Sequence, residues 1–350
     1  MLNHRHIRIS HLIIITVIST LVISNPSISN YGFFEFTKVV YGQSDPNQRN
    51  SNNTSSLNMP DTPVKKVHAG DIDIAYKIFG KGEPILLFNG ASDNMNAWDT
   101  ALTKSLSSNH TVIVFDPRGI GNTLIGTKSY TYQQLANDTS GLMDTLKIPK
   151  ADIMGYSLGS YMAQQLAMMY PDKVNSLVLV GSSCGGKDHT PKSPEFIKLQ
   201  SEIVNQSLNH IPVSKEEMKS LVIASLGAGW INLHPESVNI PENMTFQQMK
   251  PGLSPVILND QNNVGKHWED NPNWSGACGE LAKIDRPTLI ITGTDDNMYQ
   301  SHVNSLKMAE KIPGAWLVQI KNADHAVVDQ YLAELGKILN TFLSTTGQNR

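Results

Sequence analysis

Asp152-Ile153-Met154-Gly155-Tyr156-Ser157-Leu158-Gly159 decides the reading of this chain: a short apolar run ends in a serine flanked by glycines, and a helical pattern from Leu158 to Met169 begins at once. A strand that turns this sharply into a helix holds its serine in a strained, exposed conformation where a base can reach the hydroxyl. Gly155 and Gly159 suit such an elbow because side chains there have no room. The helix aims its first N–H groups and the positive end of its dipole at any anion forming beside the serine, with the N–H of Leu158 the nearest donor. Ser157 is therefore the candidate nucleophile, and Leu158 a candidate half of an oxyanion hole.

Outward from the elbow, short apolar runs alternate with helical patterns. The runs Ile85–Phe88, Val112–Phe115, Asp152–Met154, Leu177–Val180, Leu289–Thr292 and Trp316–Ile320 predict buried strands of a largely parallel sheet. Helical spacing covers Met95–Leu106, Tyr132–Leu146, Leu158–Met169, Val303–Lys311 and Val327–Phe342. Alternation of this kind predicts a doubly wound α/β domain. Upstream, Val64–His68 and Ile72–Ile78 alternate around Ala69-Gly70-Asp71, which predicts an antiparallel hairpin at one edge of the sheet. Between residues 185 and 280 the alternation gives way to irregular helical stretches. An insertion leaving after Val180 and returning at Leu289 emerges at the carboxyl ends of the strands, where open α/β sheets bind ligands. The expectation is a core of residues 64–184 and 281–345 with a cap of residues 185–280. The tryptophans Trp230, Trp268 and Trp274 either line a pocket beneath that cap or form the cap's own small core.

A serine nucleophile needs a histidine base, and the base needs a carboxylate to fix its tautomer. Asp295 and Asp296 follow the run Leu289–Thr292 through Gly293-Thr294, and His325 follows Trp316–Ile320 through Lys321-Asn322-Ala323-Asp324. Nucleophile, acid and base then come in the order Ser, Asp, His, each on a loop at one edge of the sheet.

The ends and the composition bound the rest. Arg5 and Arg8 precede the apolar run Leu12–Ile23 and small residues at Ser27 and Ser29, so residues 1–29 read as an export signal or, if uncleaved, a membrane tether, and place the protein outside the cytoplasm. Residues 30–63 read as a flexible linker, rich in Asn, Ser, Asp and Pro from Gln43 onward. In such a compartment Cys184 and Cys278 are free to pair, although spacing alone does not decide it. A net charge of -3 without a Lys/Arg run excludes a nucleic-acid partner. No metal-ligand motif stands out, and Gly119-Ile120-Gly121 lacks the third glycine and acidic partner of a dinucleotide site, so no cofactor is expected.

Together these segments resemble the α/β-hydrolase superfamily in its cap-bearing form, over about Val64 to Leu343. The resemblance assigns the nucleophile to Ser157, favours Asp296 over Asp295 as the acid, and assigns the base to His325. In the family a His-Gly pair precedes the second oxyanion donor; here Asn89-Gly90-Ala91 stands in that place, so Ala91 inherits the role without the histidine. Asp116-Pro117-Arg118-Gly119-Ile120-Gly121 matches a structural turn of the family. The activity implied is serine hydrolysis of a small-molecule ester or related acyl substrate. Aminopeptidase, lactonase and other acyl chemistry on the same triad, and a non-catalytic ligand-binding relative, are the alternatives.

Overall fold

A computed structural model describes residues 14–17, 59–270 and 276–347. Most of the expected export segment, nearly all of the expected linker and Trp274 lie outside the described residues.

The described residues form a nine-stranded sheet in the order β1-β9-β8-β7-β6-β4-β5-β3-β2. The strands are β1 Ile14–Val17, β2 Lys65–Ala69, β3 Ile72–Gly80, β4 Glu83–Phe88, β5 His110–Phe115, β6 Ala151–Tyr156, β7 Val174–Val180, β8 Thr288–Gly293 and β9 Trp316–Ile320. Only β2–β3 and β3–β5 pair antiparallel, so the expected hairpin closes one edge. At the other edge β1, from within the N-terminal apolar run, pairs parallel with β9 in the register Ile14 to Leu317.

Alternate residues of the central strands feed two cores, which is why these strands read as unbroken apolar runs. Leu86, Phe88, Ile153, Leu177 and Leu179 face one core with α2 (Tyr132–Thr145) and α3 (Leu158–Met169). Ile85, Leu87, Met154, Val178 and Val180 face the other with α1 (Thr100–Ser107) and α10 (Leu332–Gly347).

Two expected helices are each broken in two. Met95–Leu106 becomes a 3-10 turn at Met95–Ala97 followed by α1, because the Asp99 carboxylate caps the N–H groups of Ala101 and Leu102 and starts a new helix there. Val327–Phe342 becomes α9 (Val327–Gln330) and α10, separated at Tyr331, whose φ of -126° and ψ of 50° are not helical. The remaining core helix is α8 (Ser301–Lys311).

Between β7 and β8 the chain inserts α4 (Pro194–Leu208), α5 (Lys215–Leu233), α6 (Phe246–Met249) and α7 (Pro255–Asp270). Trp268 does not form a separate core for this insertion. It is 2% exposed, stacks on Tyr161 of α3 at 5.3 Å and 11°, and packs edge-on to Tyr132 of α2. Trp230 stacks on His234 instead, and neither lines the main cavity. Cys184 and Cys278, both buried, are joined by a disulfide that closes the neck of the insertion. Among the described residues no helix is long and apolar enough to cross a membrane.

The disulfide closes a loop across 94 positions, a length at which a cross-link stabilises by about 4–5 kcal/mol in the chain-entropy model. Cys184→Ala with Cys278→Ala is expected to lose roughly 2–5 kcal/mol, seen as a lower urea midpoint. A double variant with the parent's midpoint would show that Trp268 and its neighbours hold the insertion alone.

Candidate active site

The elbow is as strained as its sequence demands. Ser157 sits at φ 52° and ψ -121°, a conformation that L-residues adopt only when their surroundings impose it. Those surroundings are backbone. A Cβ on Gly155 would lie 2.4 Å from the Gly159 carbonyl oxygen, and one on Gly159 would lie 2.2 Å from that of Phe88. The Ser157 N–H still donates to the Val180 carbonyl at 2.9 Å, so the serine ends the sheet ladder as it opens α3. Behind it, the Ser160 hydroxyl donates to the Ser157 carbonyl and lies 2.7 Å from the Ser182 hydroxyl.

The structure brings Ser157, His325 and Asp296 into one line. His325 Nε2 lies 2.9 Å from Ser157 Oγ, and His325 Nδ1 lies 2.8 Å from Asp296 Oδ2. Asp295, one residue earlier, is exposed and bonded to Thr294. Asp296 is fully buried, accepts the N–H of Tyr299 at 3.0 Å and takes a short hydrogen bond from the Ser301 hydroxyl. Burial pushes its carboxyl up, but His325 and these donors outweigh burial and hold it below the ordinary carboxylate range. A charged acid beside a histidine whose other nitrogen faces a serine hydroxyl is the arrangement that lets a histidine accept that proton.

Ala91 and Leu158 both border the cavity in front of Ser157. Leu158 opens α3, where first-turn N–H groups have no intrahelical acceptor. The loop carrying Ala91 is held from two sides. Asp116 accepts the N–H groups of Met95 and Asn122, which gives the Asp116–Gly121 turn its structural role. From the insertion, Gln261 accepts the N–H of Ser92, itself at φ 69°.

Several residues at the site carried no signal in the sequence. The Tyr299 ring stacks on His325 at 3.6 Å and 6° between ring planes, and packs against Phe196 on its own account. Burial pushes its phenol well above the ordinary range, so it is a neutral aromatic surface beside the imidazole. Lys192 pairs with Glu269 at 3.1 Å, and Lys250 with Asp93 at 2.6 Å; all four line a cavity of about 210 Å³ shared with Ser157 and His325. Core and insertion both contribute walls, including Leu158, Tyr161, Phe196, Ile203, Leu221 and Leu258.

The histidine loop is fastened to the insertion. The Ala326 N–H donates to the Ser225 carbonyl at 2.8 Å, and the Gln330 amide donates to the Leu226 carbonyl at 2.7 Å. Those carbonyls stand at a break in α5, where Gly227 takes φ 75° and passes so close to the Asp324 carboxylate that a Cβ would meet Oδ2 at 2.3 Å. Asp324 in turn accepts the N–H of His325 at 2.8 Å.

Among the described residues no group of three His, Cys, Asp or Glu side chains is arranged to hold a metal ion. A profile of the alpha/beta hydrolase fold family matches residues 83–212. The chain is 25% identical over 275 residues to the proline iminopeptidase PfmaB of Pestalotiopsis fici, covering 75% of this chain and 93% of that one. It is 22% identical over 257 residues to the non-heme chloroperoxidase CPO-A1 of Kitasatospora aureofaciens, covering 73% and 90%. A thermophilic esterase from Thermogutta terrifontis superposes with a TM-score of 0.66 at 23% identity, over 81% of this chain and 99% of the esterase. The fold is the α/β-hydrolase fold. The chain resembles the α/β-hydrolase superfamily in sequence over residues 83–212 and shares its fold.

Burial, with Asp296 and Asp295 nearby, pushes the Asp324 carboxyl up to about 7 against the opposing N–H of His325. A carboxyl raised in the folded state binds more protons folded than unfolded between about pH 4 and pH 7, so it subtracts stability as pH rises through that window. Asp324→Asn is therefore expected to be more stable than the parent at pH 8 by about 1–4 kcal/mol, with the two converging near pH 4 in urea unfolding. A variant less stable at pH 8 would show that the bond to the His325 N–H outweighs the cost of burial.

Proposed function

We propose that this chain is a serine hydrolase that cleaves a carboxylic ester or related acyl compound through a covalent acyl-enzyme. The observation that carries this reading is the pair of hydrogen-bond contacts, 2.9 Å and 2.8 Å, running from Ser157 through His325 to Asp296. His325 Nε2 takes the proton of Ser157 as Oγ bonds to the substrate carbonyl carbon. The N–H groups of Ala91 and Leu158 receive the oxyanion, an interaction worth about 3–4 kcal/mol per donor in sites of this kind. His325 then passes its proton to the leaving alcohol as the acyl carbon–oxygen bond breaks. Water attacks the acyl-enzyme, giving its proton to His325, and the acid departs as Ser157 recovers its hydrogen.

In this reading the inserted helices act as a cap that shapes the substrate cavity, since both they and the core line it. The protein works outside the cytoplasm, a compartment that the Cys184–Cys278 bridge supports.

Ser157→Ala is expected to lower turnover of p-nitrophenyl acetate by about 10⁴-fold or more, and to abolish labelling by a fluorophosphonate probe, while the melting temperature stays within a few degrees. Labelling that persists in the pure variant would sink the assignment, because the reactive group would then lie elsewhere.

A further inference from the structure

One face of α7 borders the cavity, and along it stand Leu258, Gln261, Asn262, Gly265, Lys266 and Glu269. Their spacing is that of a single helix side, where neighbours three and four positions apart lie above one another. Each of the others carries a branched or long side chain, and Gly265 leaves a gap in the row.

Nothing in the backbone calls for glycine there. Gly265 lies inside a sixteen-residue helix with no left-handed φ, and an interior glycine weakens a helix relative to alanine. No close approach calls for it either. A Cβ built on Gly265 would meet no heavy atom within 4 Å beyond its own helix and chain neighbours, although the residue is shielded from solvent. Elsewhere the opposite holds: at Gly155, Gly159 and Gly227 an added Cβ would strike an atom within 2.4 Å. A buried position whose side chain would point at no atom points into the cavity. α4, which packs along α7, contributes Phe196, Ile203 and Val204 to the same cavity, so part of the wall facing α7 is apolar.

We propose that Gly265 sets the size limit of the substrate pocket, leaving room for a bulky branched or cyclic apolar acyl group that any larger residue at this position would exclude. The proposal rests on the serine hydrolase reading for its substrate, while the geometry of the gap is independent of it. Charge does not compete with this selection in the depth of the cavity, because Lys192 and Lys250 are already paired with Glu269 and Asp93.

The test compares p-nitrophenyl acetate with p-nitrophenyl cyclohexanecarboxylate in the parent, Gly265→Ala and Gly265→Leu. The parent should accept both esters. Gly265→Leu should lose about tenfold or more in kcat/KM on the cyclic ester while keeping acetate within about threefold, with Gly265→Ala in between. Gly265→Ala should also melt at or slightly above the parent, which separates lost space from lost folding. A second arm needs no turnover: cyclohexanecarboxylate, the product acid, should raise the melting temperature of the parent and not of Gly265→Leu. Equal losses on both esters, or an undiminished response of Gly265→Leu to the cyclic acid, would overturn the proposal. A parent that hydrolyses neither ester and resists the fluorophosphonate would overturn the serine hydrolase reading instead, and the product-acid arm would still decide the role of Gly265.

Discussion

The backbone-to-backbone contact at Gly155 and Gly159 is the constraint on which the rest of the molecule depends. With no side chains there, β6, β4 and the start of α3 close to a distance that forces Ser157 to φ 52°. Strain of that kind costs about 1–3 kcal/mol and persists only where neighbours over-determine it. Here the neighbours are the Val180 carbonyl bonded to the serine N–H, the Ser160 hydroxyl bonded to its carbonyl, and the two cores packed on either side of the sheet. Behind Ser160 the chain of polar contacts continues through Ser182 to the Gln164 amide, and from the Ser183 carbonyl to the indole of Trp268. The elbow is thereby tied to the insertion by hydrogen bonds among buried groups, which are costly to leave unmade.

That tie is one of four. The disulfide closes the neck of the insertion, Gln261 holds the loop carrying Ala91, and the break in α5 takes hydrogen bonds from the loop carrying His325. Each part of the proposed machinery therefore touches inserted residues: nucleophile through Ser160 and Gln164, oxyanion loop through Gln261, base through Ser225 and Leu226. A change in the insertion that shifts any of these contacts changes the geometry at Ser157 as well as the shape of the cavity.

How much of this was legible in the sequence follows from which interactions are local. The central strands were readable because both faces of the sheet are covered, so Ile85 to Phe88 and Leu177 to Val180 are continuously apolar. The edge hairpin was readable from Gly70, which the turn needs at φ 67°. The positions of Ser157, Asp296 and His325 were readable because each follows a strand. Asp99 as a helix cap was also within reach, being a local signal in the midst of an apolar pattern that argued for one longer helix. The remainder depends on residues distant in sequence. Trp268 meets Tyr161 across about a hundred residues, and Gln261 meets Ser92 across still more, so neither contact leaves a trace in local periodicity. Tyr299 lay inside a loop whose only readable feature was the aspartate pair, and its stacking on His325 follows from how that loop folds back.

The electrostatics of the cavity bear on what such a site selects. Two lysines and two acids line a chamber of mixed polarity, and burying either pair costs desolvation that the attraction between partners only partly offsets. For Lys250, burial lowers its affinity for a proton, yet the carboxylate of Asp93 raises it further, so the ammonium keeps its proton. Glu269 accepts a hydrogen bond from Tyr161 on one oxygen and meets Lys192 with the other, so both of its oxygens are engaged. An ionic substrate would have to displace an internal partner to be bound. The exposed Lys266 at the rim is the one lining cation among the described residues with no ion-pair partner, and it lies where water screens it. With the charges paired, shape and volume discriminate inside the chamber alongside the uncharged polar groups Gln200, Ser225 and Asn262, and volume is what the absent side chain on α7 supplies.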